Sequence, residues 1–181
     1  MPTASTLEYA LLGLLRQSPQ SGYDLRRTFA STPMRHFSDS PGSIYPALRR
    51  LDSRGWITAK PEPETARRRQ VYRVTPAGRK ALLAWLALPI ACEDVIHNLD
   101  ELMLRFAFHG ENIEREATLK FVAQMEAALK EYIAELHQYY KTAVPHIASI
   151  TGRLAFESGI LSYEATLEWT RRARKQIERQ L

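Results

Sequence analysis

The stretch SPGSIYPALRRLDSRGWI, residues 40–57, decides how the rest of the chain is interpreted. Asp39 or Ser40 can cap a helix here, and Pro41 suits its first position. Gly55 supplies the left-handed residue with which many helices end. Between these signals the apolar residues recur at the spacing of one helical face: Ile44, Leu48 and Leu51. The stretch therefore predicts a short helix with one buried face.

The other face of this helix is polar and contains a proline at position 46. A proline inside a helix removes a backbone donor and costs stability. Folding alone would not select it, whereas a compact apolar ring on an exposed surface can serve in binding. The side chains that this face exposes are Ser43, Tyr45, Pro46, Arg49 and Arg50.

Two further helices are predicted before this one. Capping-box sequences, SxxE from Ser5 and SxxD from Ser21, mark their first turns. Apolar residues at helical spacing follow each cap. These helices are expected to run to about residues 17 and 31.

A hairpin and a fourth helix are predicted after Gly55. Strand-forming residues over 56–60 and 69–74 flank a turn-like segment that holds two prolines. Thr75 and Pro76 then begin a helix. Three helices followed by a two-stranded hairpin, the wing, form the winged helix-turn-helix arrangement. The predicted fold is therefore mainly α, with this domain over residues 1–88.

Basic residues are concentrated in the N-terminal half. Residues 1–88 contain 14 Lys and Arg against 6 Asp and Glu, whereas residues 89–181 contain 11 against 14. Such a one-sided charge favours a polyanion at one end of the molecule and leaves the other end for a different task. Basic residues at and near the turn of the hairpin are Lys60, Arg67, Arg68 and Arg69.

These observations favour insertion of the third helix into the major groove of DNA. Arg49 or Arg50 can reach guanine edges or phosphates, and the arginines of the wing can neutralise phosphates. The hydroxyls of Ser43 and Tyr45 can bond to a phosphate or a base, and the rings of Tyr45 and Pro46 can contact a thymine methyl group. The alternative is a winged helix that binds a protein and not DNA, which would more naturally expose an apolar patch beside Tyr45.

The second half of the chain is predicted to be helical. Residues 89–98 are interpreted as a linker and residues 99–181 as a dimerisation domain with long helices. A lone helical hairpin is marginally stable, so we expect a second copy of the chain to pack on it. The candidate contact residues, any of which could equally belong to the core of one chain, are Leu154, Leu161, Leu167, Trp169, Ile177 and Leu181.

Neither catalysis nor a metal or other cofactor is expected. The five histidines are scattered, and neither a metal-binding spacing nor a phosphate-cradling glycine loop occurs. Glu93 and His97 are four residues apart, but such a pair most often lies on an exposed surface. Without a signal-like segment or an apolar run near the roughly 18 residues of a membrane span, a cytoplasmic protein is expected.

Aromatic residues offer surface for a ligand. They could line a cavity between the winged domain and the long helices that accepts a small aromatic or phenolic effector. Aromatic residues at helical spacing are more often plain core, so both interpretations stand at this point. The residues concerned are Trp56, Trp85, Tyr139, Tyr140, Tyr163 and Trp169.

The sequence resembles the PadR family of bacterial transcriptional regulators. The resemblance rests on LEYALLGLL, SGYDLRRTF, GSIYPALRRLDSRGWI and RRRQVYRVTPAGRKAL, and on LDELMLRFAF and GILSYEATLEW in the second half. It implies a homodimeric winged-helix repressor that binds an inverted-repeat operator and is often released by a small molecule. The long second half is similar to the larger PadR subgroup. For the site, the resemblance implies DNA contact through Ser43, Tyr45, Pro46 and the arginines of the third helix and wing.

Overall fold

The chain folds into two compact units, Met1–Ala87 and Leu88–Leu181, in a computed structural model that describes residues 4–37, 40–61, 69–110, 113–147 and 149–179. The first unit ends at Ala87, and the sequence analysis places the end of the winged domain at residue 88. What each unit does in the cell stays a prediction at this stage.

The N-terminal unit contains four helices and a small sheet. Helices α1, α2, α3 and α4 span Thr6–Gln17, Gly22–Ser31, Pro41–Ser53 and Pro76–Leu86. Strands β1, β2 and β3 span Gln20–Ser21, Ile57–Pro61 and Gln70–Val74 and form an antiparallel sheet in the order β1-β3-β2. The helices enclose a core of leucines with Phe29 and Ile44. These elements form the predicted winged helix-turn-helix arrangement.

Strand β1 is an addition to the predicted two-stranded wing. Gln20 pairs with Tyr72 and Ser21 with Val71, so that the sheet has three strands. Two residues are too few to show the alternation of polar and apolar side chains by which a strand is recognised. The sequence pattern therefore predicts the hairpin and misses its third strand.

Helix α3 begins and ends as its sequence predicts. The hydroxyl of Ser40 accepts a hydrogen bond from the backbone of Gly42 at 3.2 Å, and Pro41 occupies the first helical position. At the other end Gly55 has φ of 68°, and the backbone N–H groups of Gly55 and Trp56 donate to the carbonyls of Asp52 and Leu51. This pair of bonds is a Schellman motif, which turns the chain sharply into β2.

Helix α4 approaches the end of α3 very closely. A Cβ atom on Gly78 would overlap the backbone carbonyl of Trp56, so a side chain does not fit there. The hydroxyl of Thr75 donates to the carbonyl of Gly55 at 2.7 Å and accepts from the backbone of Gly78 at 3.1 Å. These contacts fix the wing relative to the end of α3.

The described residues of the C-terminal unit fold into helices joined by short loops. Helices α5, α6, α7 and α8 span Cys92–His97, Leu99–His109, Arg115–Thr142 and Ile150–Arg179. Contacts between α7 and α8 join an early residue of one helix to a late residue of the other, so the two helices are antiparallel. Arg115 Nε donates to the carbonyl of Ile177 at 3.0 Å, and His137 Nε2 lies 2.8 Å from Glu164 Oε1.

The segment 89–98, predicted as a linker, contains helix α5. Val95 is fully buried in a core cluster with α6 and α7, so this segment is packed and does not act as a spacer. A helix of six residues is too short to show an apolar stripe, which explains why the sequence pattern misses it. Among the described residues, no helix is long and apolar enough to cross a membrane.

Candidate nucleic-acid interface

The outer face of α3 presents the predicted contact residues. Tyr45 is 38% exposed, and Arg49 and Arg50 are exposed, whereas Ser43 and Pro46 are half-buried. On the opposite face Ile44 and three other apolar residues are fully buried. The helix is therefore held by one face, and the face that carries Tyr45 is open to a partner.

Tyr45 packs against the first residue of α2. A Cβ atom built on Gly22 would lie 2.5 Å from Cε1 of Tyr45 and 3.2 Å from its Cζ. The ring therefore occupies the space that a side chain at position 22 would need. Gly22 gives the exposed tyrosine a defined position on the surface.

Behind Tyr45 lies a second tyrosine, which comes from the sheet. Burial raises the pKa of Tyr72 above its ordinary value, the proximity of Tyr45 and Asp52 raises it further, and Arg49 opposes the change. Tyr72 thus lies close to the outer face of α3. Tyr72 in the middle of β3 is thus within electrostatic range of three residues of α3.

Arg50, predicted with Arg49 as an arginine that can reach DNA, also has a partner within its own domain. Its Nε donates to Oε1 of Glu8 at 2.8 Å, and Arg54 Nη1 lies 3.5 Å from the other carboxylate oxygen. Glu8 is only 2% exposed, so this carboxylate is buried and needs its partners. Arg50 therefore joins α1 to α3, while Arg49 remains on the outer face.

The buried carboxylate of Glu8 is held in its charged form. Burial raises its pKa, but the hydrogen bond from the Ser5 backbone and the two arginines outweigh burial, so the pKa lies below its ordinary value. Ser5 N–H donates to Oε2 at 2.7 Å. The predicted capping box is present, and the sequence analysis missed that the same glutamate also binds α3.

The wing contributes two of its predicted residues to the described surface. Lys60 on β2 and Arg69 at the start of β3 are both exposed. Arg67 and Arg68 lie outside the described residues. Lys60 and Arg69 thus lie exposed at the turn end of the described strands, and their contact with phosphates stays a prediction.

Tyr23 is an exposed residue of α2 that the sequence analysis did not include in the site. Its ring is 47% exposed, and the guanidinium carbons of Arg26 and Arg69 lie 5.6 and 5.1 Å from the ring centroid. The sequence feature that could have identified Tyr23 is its position outside the apolar stripe of Leu25 and Phe29. A large aromatic residue outside that stripe must be exposed or find another partner.

Replacement of Gly22 by alanine tests the packing of Tyr45. The added methyl group would displace the Tyr45 ring, which is the outer end of a flexible side chain and can turn away. We expect the free energy of unfolding to change by less than about 1 kcal/mol, and affinity for the operator to fall about three- to tenfold. Thermal unfolding and fluorescence anisotropy with a labelled duplex measure the two quantities. Unchanged operator affinity would contradict this role for Gly22.

The predicted dimer residues divide into three groups in the C-terminal unit. Leu154 and Leu161 are 54% and 57% exposed on α8. Leu167 is buried in the core of its own unit, and Trp169 and Ile177 pack partly against that core. Leu181 lies outside the described residues. Of the candidates that the structure describes, Leu154 and Leu161 present open apolar surface, because the helix buries its Leu167 side against α7.

The aromatic residues of the predicted effector cavity pack within their own units. Trp85 is buried and stacks on Tyr9 with ring centroids 4.6 Å apart. Trp169 meets Phe106 edge to face at 5.1 Å. Beside this pair a recess of about 300 Å³ is lined by side chains of α6 and α8: Phe106, Trp169, Arg172, Ala173, Gln176 and Ile177.

Across the described residues, His, Cys, Asp and Glu side chains form no group of three that could hold a metal ion. Glu93 and His97 lie 3.4 Å apart on α5, and both side chains are exposed. Cys92 is a single thiol whose pKa is raised by burial and by neighbouring glutamates. None of these features assembles groups for catalysis.

The N-terminal unit is a winged helix-turn-helix domain with an exposed aromatic and basic recognition surface. The model of the transcriptional regulator PadR-like family matches residues 11–84. Residues 11–84 thus form a domain of the PadR-like family, which is a family of transcriptional regulators.

Two characterised relatives extend the comparison. Over 121 residues the chain is 31% identical to the negative transcriptional regulator PadR of Bacillus subtilis, and the alignment covers 66% of this chain and 65% of that protein. Over 43 residues it is 49% identical to the transcriptional regulator Rv3488 of Mycobacterium tuberculosis, covering 24% of this chain and 40% of the relative. The chain therefore spans less than two thirds of these relatives in the aligned regions.

Solved structures of PadR proteins are similar over nearly the whole chain. The crystal structure of Bacillus subtilis PadR with operator DNA is 24% identical, with 96% of this chain and 99% of that chain covered and a TM-score of 0.46. The crystal structure of the same protein with p-coumaric acid is 23% identical, with 98% of both chains covered and a TM-score of 0.43.

Proposed function

We propose that this chain is a homodimeric, sequence-specific DNA-binding regulator of transcription that represses from an inverted-repeat operator. The observation that supports DNA binding most strongly is the position of Tyr45. It stands on the outer face of α3, fixed against Gly22 and next to Arg49. A recognition helix reads bases with residues near its N-terminus, and Tyr45 lies in its first half.

The proposed contacts combine base reading with charge neutralisation. Ser43, Tyr45, Pro46 and Arg49 face the major groove and can read base edges, thymine methyl groups or nearby phosphates. In this proposal Lys60 and Arg69, with Arg67 and Arg68 of the wing, contact phosphates. Arg50 enters mainly as the residue that positions α3 through Glu8.

We propose repression because a relative of this chain is a negative regulator of transcription. The Bacillus subtilis protein is a negative transcriptional regulator, and its alignment with this chain extends beyond the residues matched by the family model. A repressor needs only to occupy its operator, which the winged domain can do without a further activity. The place of action is then the cytoplasm, where bacterial DNA lies.

Selection of bound sequences from random duplexes by the purified chain tests the proposal directly. Enrichment of an inverted repeat whose half-sites lie one helical turn, about 34–36 Å, apart is the expected result. Enrichment of a single asymmetric site would contradict the dimer. No retention of any duplex at low ionic strength would contradict DNA binding and would favour a winged helix that binds a protein.

The dimer is proposed to form through the exposed apolar side of α8. Leu154 and Leu161 are seven residues apart, so they lie on nearly the same side of the helix. Two such leucines more than half exposed on one helix side are typical of a surface that a second helix covers. A two-fold pairing would present two recognition helices to one operator and multiply the affinity of each.

Charges at these two positions are expected to separate the dimer. In Leu154→Glu/Leu161→Glu, four carboxylates would have to enter one two-fold interface, which is strongly unfavourable. We expect the mass measured by sedimentation velocity to fall from that of a dimer to that of a 20.7 kDa chain. Ser162→Glu, which adds a charge at an exposed position beside Leu161, is the control and should stay dimeric. A wild-type chain that sediments as a monomer would contradict the dimer.

A small aromatic or phenolic effector is proposed to bind in the C-terminal unit. The recess beside Trp169 and Phe106 has a volume at the lower end of the range for small-molecule sites. Its aromatic walls suit a planar ring, and Arg172 and Gln176 offer donors to an acidic group. The Bacillus subtilis relative has been crystallised with p-coumaric acid, which has this chemistry.

A further inference from the structure

We propose that Tyr23, Arg26 and Arg69 form a clamp that binds the phosphate backbone of DNA, in addition to the recognition helix. This clamp rests on the proposed function and adds a contact site to it. The two guanidinium carbons lie 5.6 and 5.1 Å from the centroid of one exposed ring. One arginine comes from α2, and the other directly precedes β3 at the turn end of the wing.

The sheet explains why these residues meet. Ser21 of β1 pairs with Val71 of β3 in antiparallel register. Helix α2 begins directly after Ser21, so this pairing holds the first turn of α2 close to the beginning of β3, and Arg69 lies over the Tyr23 ring there. The residue before Tyr23 is Gly22, on which the ring of Tyr45 packs. Tyr23 therefore lies between the recognition helix and the wing, where the backbone of a bound duplex would pass.

The stacked arrangement suits a phosphate ligand. A guanidinium group that lies over an aromatic ring keeps its N–H donors in its own plane, where they can reach phosphate oxygens. Stacking also restricts the long arginine side chain, so less conformational entropy is lost when it binds. The Tyr23 ring is 47% exposed and therefore supports the two guanidinium groups at the surface of the domain.

The local charge also favours an anion. Asp24 is the carboxylate at the start of α2, and it receives the hydroxyl of Ser21 at 2.6 Å as part of the helix cap. Arg27 lies 4.0 Å from the same residue. With Arg26 and Arg69 these groups carry an excess of positive charge, because three arginines accompany one aspartate.

The salt dependence of duplex binding tests the clamp. Each phosphate contact contributes about 0.9 to the slope of log K against log salt concentration. We expect Arg26→Gln and Arg69→Gln each to reduce the magnitude of this slope by about 0.9. Each variant should bind the operator and unrelated duplexes more weakly, and to a similar extent. Arg69 also interacts with Asp24, so the clamp arginines are defined by the Tyr23 ring and not by that carboxylate. Arg27→Gln is the matched control, because Arg27 is on the same helix and 4.0 Å from Asp24, whereas the ring lies under Arg26 and Arg69; it should keep the wild-type slope.

Two substitutions of Tyr23 test whether its aromatic ring contributes to DNA binding. Tyr23→Phe keeps the aromatic face and should bind the operator like the wild type, whereas Tyr23→Ala should bind about two- to fivefold more weakly. In the Tyr23→Ala background, Arg26→Gln should cost less than it does in the wild type, because the ring no longer holds the guanidinium. Strictly additive effects would overturn the clamp as a unit.

Failure of the clamp and failure of the proposed function give different results. If wild-type protein binds its selected operator and both Arg26→Gln and Arg69→Gln keep the full salt slope, the clamp is wrong and the proposed function stands. If the wild type retains no duplex at low ionic strength, both are wrong. All the substituted side chains are at least partly exposed, and unchanged thermal unfolding of each variant would exclude loss of the fold as the cause.

Discussion

A Glu8→Gln variant is expected to lose about 2 kcal/mol of its free energy of unfolding at pH 7, the typical contribution of hydrogen bonds to a charged group. Glu8 is nearly fully buried and accepts from the backbone of Ser5 and from the side chain of Arg50. Glutamine is almost the same size but is neutral, so the ion pairs with Arg50 and Arg54 disappear. Chemical denaturation of both proteins measures the difference.

The pH dependence of this difference identifies the ionised carboxylate as its cause. The pKa of Glu8 in the folded protein lies below its ordinary value of 4.5. A carboxylate with a lowered pKa stabilises the folded state fully above its unfolded pKa and loses that effect as the pH falls through the folded pKa. The difference between wild type and Glu8→Gln should therefore stay constant from about pH 6 to 8 and narrow below about pH 4.5. A constant difference down to about pH 3 would contradict the assignment.

The neighbouring arginines provide the matched control. Arg50→Gln removes a partner of Glu8 and should lower the free energy of unfolding, whereas Arg49→Gln, on the outer face, should leave it nearly unchanged. For DNA binding the order should reverse. Arg49→Gln should weaken binding more than Arg50→Gln does, because Arg49 is a proposed contact with DNA. If both variants were equally destabilised, the distinction between a positioning and a contacting arginine would be wrong.

The elements that sequence patterns predicted well are those whose signals are local. The caps at Ser5, Ser21 and Thr75 and the glycine at position 55 each act on the turn beside them, and each occurs where it was expected. The long helices predicted for the second half also occur, as α7 and α8 with 28 and 30 residues. Strand β1 and helix α5 were missed because neither is long enough to repeat its pattern.

The parts of the site that were missed depend on contacts between distant residues. Glu8 and Arg50 are 42 residues apart, and the sequence shows only that each can lie on a helix surface. Arg69 reaches Tyr23 only because β1 pairs with β3. Likewise, the pattern of α8 contains apolar residues on two sides, and only packing against α7 decides that Leu167 is covered and Leu161 is not.

The arrangement around α2 connects these findings to recognition. Its first residue, Gly22, supports Tyr45 of the recognition helix, and its second, Tyr23, supports an arginine of the wing. Glu8 on α1 binds α3 through Arg50. The contacts that would meet DNA are therefore anchored to secondary structure and preorganised, which reduces the entropy lost on binding.

A Tyr45→Ala variant is expected to bind the selected operator about 10- to 100-fold more weakly than the wild type, as when one specific base contact is lost. Binding to an unrelated duplex should fall by no more than about threefold, because phosphate contacts dominate it. Fluorescence anisotropy with both duplexes at one salt concentration measures the two effects.

The two expected losses for Tyr45→Ala differ because the Tyr45 ring carries shape and hydrogen-bonding information but no charge. Tyr45→Phe separates these contributions: it keeps the ring against Gly22 and removes only the hydroxyl, so any remaining loss of operator affinity reports a bond from that oxygen. Since the ring is 38% exposed, its removal should lower the free energy of unfolding by only about 1 kcal/mol, which thermal unfolding checks. An equal loss of affinity for both duplexes would exclude Tyr45 from base recognition and leave it as a support for α2.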